Sequence, residues 1–192
     1  MRRTLIALAV LLLPLCAATA ARADDAPAAR CEGRVIEQPF TAWDDLADYF
    51  LAPDGDFSSG AAGWDLAGAE VVADNEPWNV HGSEVTAAVG LASGASATSP
   101  TICVSQDDPT MRFFARGSGA LQVEVLYTDA EGAEQALPIG VMQGGSEWAP
   151  SDALPITANT YEMTVAFRFT ALEGDWAIDD VFVDPYRKGR AD

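Results

Sequence analysis

Three arginines occupy positions from which they could bind a ligand on the face of a sheet. Arg112, Arg116 and Arg168 lie in segments where apolar and polar residues alternate, and each falls on the polar phase. Arginine forks hold hydroxyl or carboxylate groups well, and the ring of Phe114, on the same phase as Arg112, would be exposed for stacking. Alternatively, the arginines pair with acids such as Glu124 across strands and only neutralise the sheet.

Two tryptophans lie in polar loops, where an exposed indole can stack on a sugar ring. Trp78 directly follows Pro77, and Trp148 lies two residues before Pro150. Exposed aromatic side chains beside polar groups favour ligand binding. The alternative is that both indoles fold back and close the ends of the domain, which the neighbouring Pro150 favours for Trp148.

Few residues are suited to catalysis. His81 is the only histidine, and histidine is the side chain whose reference pKa lies near neutrality. No serine lies in a G-x-S-x-G turn. Two carboxylates can hydrolyse a glycosidic bond, but among 29 Asp and Glu residues no pair stands out. We therefore expect a protein that is not an enzyme.

The N-terminal residues have the features of a secretory signal. An apolar run from Leu5 to Leu15 follows two arginines and precedes a small-residue cleavage site at residues 21–23. We predict a signal peptide at 1–23, a flexible leader at 24–34, one domain at 35–186 and a polar tail at 187–192. No later stretch is apolar for long enough to span a membrane, so we expect the processed protein to be secreted.

Export also bears on the cysteines. The chain has three, and Cys16 lies in the predicted signal, which leaves Cys31 and Cys103. An even pair in an oxidising compartment is most simply one disulfide, although two unrelated buried thiols are the alternative. The bond would close a loop of about 70 residues and stabilise the fold by roughly 4 kcal/mol.

The chain is strongly acidic. It carries 29 Asp and Glu against 11 Lys and Arg, a net charge of −18. Three of the basic residues and none of the acidic ones lie in residues 1–23, so cleavage would leave 8 against 29, a net charge of −21. Nucleic acids and anionic membranes require a basic surface, and the charge argues against both as partners.

Alternation with a period of two predicts an antiparallel β-sandwich. The segments that alternate most clearly are 111–116, 121–128 and 163–170, and further strand candidates are 69–73, 84–91, 97–104, 135–140 and 176–183. Glycine, proline and aspartate separate them, and about eight strands at this spacing indicate a sandwich rather than an α/β fold. Trp43, Leu46 and Phe50, spaced by three and four, predict a short helix or turn near the N-terminus.

Two stretches at opposite ends of the domain resemble one family of folds. Residues 55–64 run from Gly-Asp-Phe to Gly-Trp, and residues 176–184 contain Trp-Ala-Ile-Asp-Asp-Val. Together they resemble the galactose-binding-like jelly-roll fold, to which many carbohydrate-binding modules of extracellular bacterial enzymes belong. The resemblance covers residues 49–185 and implies an all-β jelly-roll. The wider pattern also resembles a set of small secreted actinobacterial proteins without an assigned activity.

The resemblance implies a calcium site as well. In the modules that the chain resembles, a calcium ion ties the first turn to the last strand through carboxylates and backbone carbonyls. The matching positions are Asp56, Glu70 and one of Asp179 or Asp180, whose hard oxygens suit a cation that takes about six to eight such ligands. Such an ion would be structural. The alternative is that these aspartates cap turns or pair with arginine.

The sequence therefore predicts a secreted, non-catalytic module that binds carbohydrate through Trp78, Arg112, Phe114, Trp148 and Arg168. The competing hypothesis is a structural or protein-interaction module of the cell envelope without affinity for sugar, and an enzyme is third. The partner is accordingly an extracellular glycan or a cell-envelope protein. A groove lined by Trp78 or Phe114 would favour sugar, whereas a flat, ion-paired sheet with both tryptophans buried would favour the interaction module.

Overall fold

Antiparallel strands make up almost all of the regular structure, which confirms the predicted all-β sandwich. The structure, a computed structural model, describes residues 31, 33–80, 86–156 and 162–185. Its strands are β1 (Phe50–Leu51), β2 (Asp65–Val72), β3 (Ala88–Thr98), β4 (Ile102–Val104), β5 (Thr110–Gly117), β6 (Ala120–Thr128), β7 (Glu134–Gln143), β8 (Ala149–Pro150), β9 (Leu154–Pro155), β10 (Met163–Glu173) and β11 (Trp176–Asp184). A short 3-10 helix does lie near the N-terminus, over Thr41–Trp43, but the helical spacing from Trp43 to Phe50 does not continue it, because Leu46 is exposed and Phe50 lies in β1. These strands outnumber the predicted eight because four of them have only two or three residues, too few for alternation to reveal.

The main core forms where the alternating residues of the long strands meet. In β10, Val165, Phe167 and Phe169 are buried, whereas Thr164 and Arg168 face the opposite way. The strands follow the hydrogen-bonded order β7–β6–β10–β3–β11–β5–β8, with β1 on β11, β2 on β3, β4 on β10 and β9 on β5. Among the residues that the structure describes, no helix is long and apolar enough to cross a membrane.

The sheet curls into two layers because β3 bends between them. Its first half pairs with β11, as in Leu91 opposite Trp176, and its second half pairs with β10, as in Thr98 opposite Arg168. Gly94, at the bend, has a φ of +85°, which glycine adopts without steric cost. The first layer thus contains β4, β6, β7 and β10, and the second contains β1, β5, β8, β9 and β11. The predicted strand at 97–104 is in fact the end of β3 followed by β4.

A second, smaller core lies on the outer face of the second layer. The segment at 37–49 covers this face and inserts Phe40 and Tyr49 against Phe114 and Phe182, all four of them buried. The Phe40 and Phe114 rings stack with centroids 5.3 Å apart. The prediction that Phe114 exposes its ring was therefore wrong: the alternation placed it correctly opposite the main core, but the N-terminal segment covers it.

The disulfide between Cys31 and Cys103 is confirmed, with the two Cα atoms 5.2 Å apart. Next to it, Arg34 pairs with the buried Asp108 at 2.5 Å and donates to the Cys103 carbonyl at 2.6 Å. Both contacts tie residues that were assigned to a flexible leader onto the sandwich. The chain that leads into the segment at 37–49 is thus held by the disulfide at Cys31, and the segment itself is held by the second core.

Candidate functional site

The three arginines of the predicted ligand face do not lie together. Arg168 lies on β10 in the first layer, whereas Arg112 and Arg116 lie on β5, which pairs with β11, β8 and β9 in the second. Arg168 pairs across strands with Glu124 at 2.7 Å, so the ion-pairing alternative holds for this arginine. The other two pair with acids from the N-terminal half of the chain.

Arg112 is part of the second core rather than of an open face. Its guanidinium pairs with Asp45 at 2.6 Å, donates from Nε to the Ser151 carbonyl at 2.9 Å and lies 4.2 Å from the centroid of the Phe40 ring. The hydroxyl of Tyr49 donates to the same Asp45 carboxylate. These contacts leave the Arg112 side chain only 12% exposed, so its role is to fix the N-terminal segment.

Replacing Arg112 should therefore destabilise the fold without weakening ligand binding. We expect Arg112→Ala to lower the free energy of unfolding by roughly 2 kcal/mol, because the partly exposed Asp45 carboxylate loses a charge-assisted hydrogen bond. Chemical denaturation would measure this loss. A variant that unfolds like the wild type, or that is well folded and yet fails to bind a glycan that the wild type binds, would contradict this role.

A groove of about 420 Å³ lies along the outer face of the first layer, between β6, β7 and β10. Its position follows from alternation: residues with the phase opposite to the buried Val125 and Val165 must face outward. Polar side chains of the lining are Thr101, Thr128, Glu134, Gln135, Thr164 and Arg168. Leu126, Ala136 and Ala166 form its apolar part. The lining of the groove thus combines hydroxyl, amide and charged groups with a few apolar side chains.

Trp78 lies on the second layer, with its side chain 43% exposed, and the loop around it is tightly held. The carboxylate of Glu76, itself only 1% exposed, accepts hydrogen bonds from the backbone N–H groups of Trp78 and Val80, both at 2.6 Å. The indole packs edge-on against Trp43, with ring centroids 4.7 Å apart, and over Phe114 at 5.6 Å. Trp78 therefore presents a half-exposed ring in a fixed orientation.

Trp148 is half-buried and packs against the same small core as Trp78. The guanidinium of Arg116 lies 5.7 Å from its ring centroid and pairs with Asp74 at 2.5 Å. The structure thus brings the two loop tryptophans to one face, where one is open and the other is largely packed.

The last strand contains a bulge that carries the paired aspartates. Asp180 has a φ of +48°, and the register of β11 against β5 shifts between Asp179 and Phe182. Beyond the bulge the phase changes, so Val181 enters the main core and Phe182 the second core. Strict alternation along β11 would place Val181 on the same face as Asp179, and the bulge is the reason that it does not lie there. The backbone N–H of Val181 donates to the Gly55 carbonyl, which joins the first turn to the last strand.

Both aspartates are buried, and their carboxyl groups favour the protonated form. Burial raises the pKa of Asp179 to about 8 and that of Asp180 to about 9. The charges of Glu76 and Asp56 contribute to both of these rises, although backbone N–H groups donate to Asp179 and oppose its shift. The pKa of Asp180 also rises through repulsion by Asp179 and Glu37. The junction of the first turn and β11 is thus a cluster of acids.

The structure brings together some, but not all, of the residues predicted to bind calcium. The charge of Asp56 raises the pKa of both Asp179 and Asp180, so the carboxylate of Asp56 lies near this pair. Glu70, however, is exposed on β2 opposite Gly90, two strands and so roughly 10 Å from β11. In the described part of the chain, no three carboxylate, thiol or imidazole groups could hold a metal ion by themselves. A cation here would need backbone carbonyls as well.

Sequence reasoning missed several residues that these sites use. Glu76 was overlooked because an acid in a turn resembles a solvated one, and Trp43 was noted only for its helical spacing. The groove residues Thr128 and Thr164 lie on the polar phases of predicted strands, so alternation could have identified them. His81 lies outside the described residues.

No protein-family model matches the sequence, and no curated protein matches it either. Solved structures match the fold at low identity. The xylan-binding CBM22-1 domain of Xyn10C from Paenibacillus barcinonensis is 10% identical, with a TM-score of 0.52 over 70% of this chain and 94% of its own. The tandem CBM22-1–CBM22-2 domain of the same protein is 11% identical, with a TM-score of 0.53 over 72% of this chain and 46% of its own.

A third match covers only part of a larger protein. The enzymatically active domain of tailspike protein 4 from bacteriophage CBA120 is 15% identical and has a TM-score of 0.49 over 70% of this chain. The chain spans only 21% of that domain's length. The narrower resemblance to small actinobacterial proteins finds no support among these matches. The fold itself is clear: this chain has the galactose-binding-like jelly-roll fold that carbohydrate-binding modules share.

Proposed function

We propose that this protein is a secreted, non-catalytic module that binds carbohydrate in the groove between β6, β7 and β10. One observation carries the assignment: the groove, of about 420 Å³, is open and is lined by hydroxyl, amide and charged groups. Its volume falls in the range of roughly 300–1,000 Å³ typical of ligand sites. The xylan-binding activity of a module with the same fold supports the assignment.

The chemistry of the lining suits a polyhydroxylated ligand. Arg168 lies in the groove with its side chain 35% exposed, and its pairing with Glu124 fixes the guanidinium in place. Arg168 can donate hydrogen bonds to sugar hydroxyls, and the carboxylate of Glu134 in the same lining can accept them. Thr128 and Thr164, at neighbouring positions of β6 and β10, add hydroxyls, and the small Ala166 separates them from Arg168 along the groove.

The charge of the groove favours a neutral glycan. Glu124 neutralises Arg168, and Glu134 adds a further negative charge to the lining. The chain as a whole carries −18. An anionic polysaccharide would therefore meet repulsion both locally and at a distance.

Filling the groove should weaken this binding. We expect Ala136→Trp, which places an indole in the lining, to weaken binding in the groove at least tenfold, and Arg168→Gln to weaken it by a similar factor. Native gel electrophoresis through xylan or hydroxyethylcellulose would measure the retardation. Ala130→Trp is the matched control, because Ala130 is an exposed alanine in the turn between β6 and β7, outside the groove lining. Equal retardation of both tryptophan variants would rule the groove out.

We also propose that a calcium ion joins the first turn to β11. Asp56, Asp179 and Asp180 would hold it together with backbone carbonyls, and the ion would supply positive charge to buried carboxylates that otherwise need protons. Its role would be structural, since the groove lies on the other layer of the sandwich.

A further inference from the structure

The outer face of the second layer carries a strip of aromatic and polar side chains, on the opposite side of the sandwich from the groove. We call this set the indole strip: Trp43, Trp78, Asp74, Arg116 and Trp148. Phe114 lies beneath Trp43 and Trp78, with ring centroids 5.4 Å and 5.6 Å away. Arg116 follows Phe114 by two residues on β5 and so emerges on the same face. The strip is therefore continuous from the two packed indoles to the ion pair and on to Trp148.

A pocket of about 340 Å³ adjoins the strip at Arg116. Its lining includes the hydroxyls of Ser118 and Ser146 and the carboxylate of Asp175. The wall at Gly117 is closely packed: a Cβ added there would lie 2.6 Å from the carbonyl oxygen of Asp175 and would also meet the Trp176 indole. The pocket thus has a fixed shape and offers donors and acceptors directly beside the strip.

The strip is rigid before any ligand arrives. The buried Glu76 carboxylate fixes the backbone of Trp78 and Val80, and the amide of Asn75 donates to the Glu76 carbonyl at 2.7 Å. The Trp43 edge supports the Trp78 ring from the side. A half-exposed indole that is already ordered loses little conformational entropy on binding, which favours affinity.

The chemistry of the strip selects a neutral sugar. An indole face matches the apolar face of a pyranose ring, and the Arg116–Asp74 pair with the serine hydroxyls of the pocket matches its hydroxyl groups. Asp74, Glu76 and Asp175 add negative charge around a single arginine, so an anionic sugar would be repelled. Ligands of the same class are thus favoured on both faces of the sandwich.

We propose that the indole strip and its adjoining pocket form a second binding surface for neutral glycans, independent of the groove, so that one chain can hold two glycan segments at once. This inference rests on the proposed function, because it assigns the same class of ligand to another face. Two sites on opposite layers would let the module link separate polysaccharide chains, with a gain in avidity wherever both engage.

The test compares variants of the two faces in the same affinity gels, with xylan and hydroxyethylcellulose as neutral probes and polygalacturonate as the anionic one. We expect Trp78→Ala and Arg116→Gln each to weaken retardation by neutral polysaccharide about three- to tenfold, and Trp78→Ala combined with Ala136→Trp to abolish it. Leu172→Ala is the control, because Leu172 is a comparably exposed apolar residue outside both sites. Thermal melting of each variant checks that it is folded.

The outcomes separate the two assignments. If Trp78→Ala and Arg116→Gln bind like the wild type while Ala136→Trp binds nothing, the second surface is wrong and the groove stands. If Ala136→Trp binds like the wild type and Trp78→Ala binds nothing, the strip is a glycan site and the groove is not. A second readout is cross-linking: the wild type should precipitate the soluble polysaccharide, and each single-face variant should not. A wild type that binds neither neutral probe, or that prefers polygalacturonate, would overturn both.

Discussion

Raising the pH from 5 to 9 in the presence of chelator is expected to lower the melting temperature by about 10 °C or more. The cause is the buried pair in β11, since burial raises the pKa of Asp179 to about 8 and that of Asp180 to about 9. In the unfolded chain both carboxyl groups titrate near 3.8. The contribution of the two protonated carboxyl groups to the free energy of unfolding is fully present below pH 4. It is lost as the pH rises towards 8 and 9, because the folded state binds protons that the unfolded state has released.

The size of the effect follows from the two shifts together. Each unit of pKa difference corresponds to about 1.4 kcal/mol, so the pair accounts for several kcal/mol across this range. Burial also raises the pKa of Asp184, which adds to the effect in the same direction. Asp45 has the opposite effect. Burial tends to raise the pKa of Asp45, but hydrogen bonds from Ala47, Tyr49 and Arg112 lower it, so the stability that the Asp45 carboxylate contributes is lost only at acid pH.

Calcium should remove most of this pH dependence. A cation bound by the two carboxylates replaces the protons, so millimolar calcium at pH 8 should raise the melting temperature, and chelator should lower it again. Asp180→Asn should remove roughly half of the pH dependence in chelator, because the raised pKa of Asp179 remains, and should abolish the response to calcium. The exposed Asp152→Asn should change neither. Identical melting with calcium and chelator at pH 8 would refute the metal site, and a flat profile in chelator would refute the protonated pair.

Much of the fold was predictable because its long strands each bury one face in one continuous core. On β6 and β10 the residues that alternate in the sequence, such as Val125 and Phe167, are the ones that fill the main core. The disulfide followed from counting cysteines and from the predicted export. The first turn and the last strand were recognisable because the motifs at residues 55–64 and 176–184 each lie within one short stretch of sequence.

What failed depended on contacts between distant parts of the chain. Phe114 has the correct phase, but only the position of the N-terminal segment decides that its ring is covered. Arg112 and Arg168 have the same local pattern of alternation and yet lie on different layers, because alternation within a strand does not determine which strands pair with one another. The bulge at Asp180 shifts the phase of β11 by one residue, and a sequence pattern of period two does not predict such a bulge.

Replacing both Cys31 and Cys103 by serine is expected to lower the free energy of unfolding by roughly 4 kcal/mol, and the melting temperature by about 10 °C. The bond closes a loop that spans 72 residues in sequence, so its loss gives the unfolded chain much more conformational freedom. The loss should be felt first by the N-terminal segment, whose other anchors are the Arg34–Asp108 pair and the second core around Phe40.

This prediction separates the stability of the segment from that of the sandwich. The main core contains no residue of the segment at 37–49, so the double variant should keep the groove and its glycan binding in the folded state. The second core does depend on the segment, and Trp43 and Trp78 should therefore change fluorescence at lower denaturant than the sandwich unfolds. Adding reductant to the wild type should reproduce the variant, and reductant should leave the variant unchanged. Coincident unfolding of both regions at wild-type stability would show that the segment is held by its packing alone.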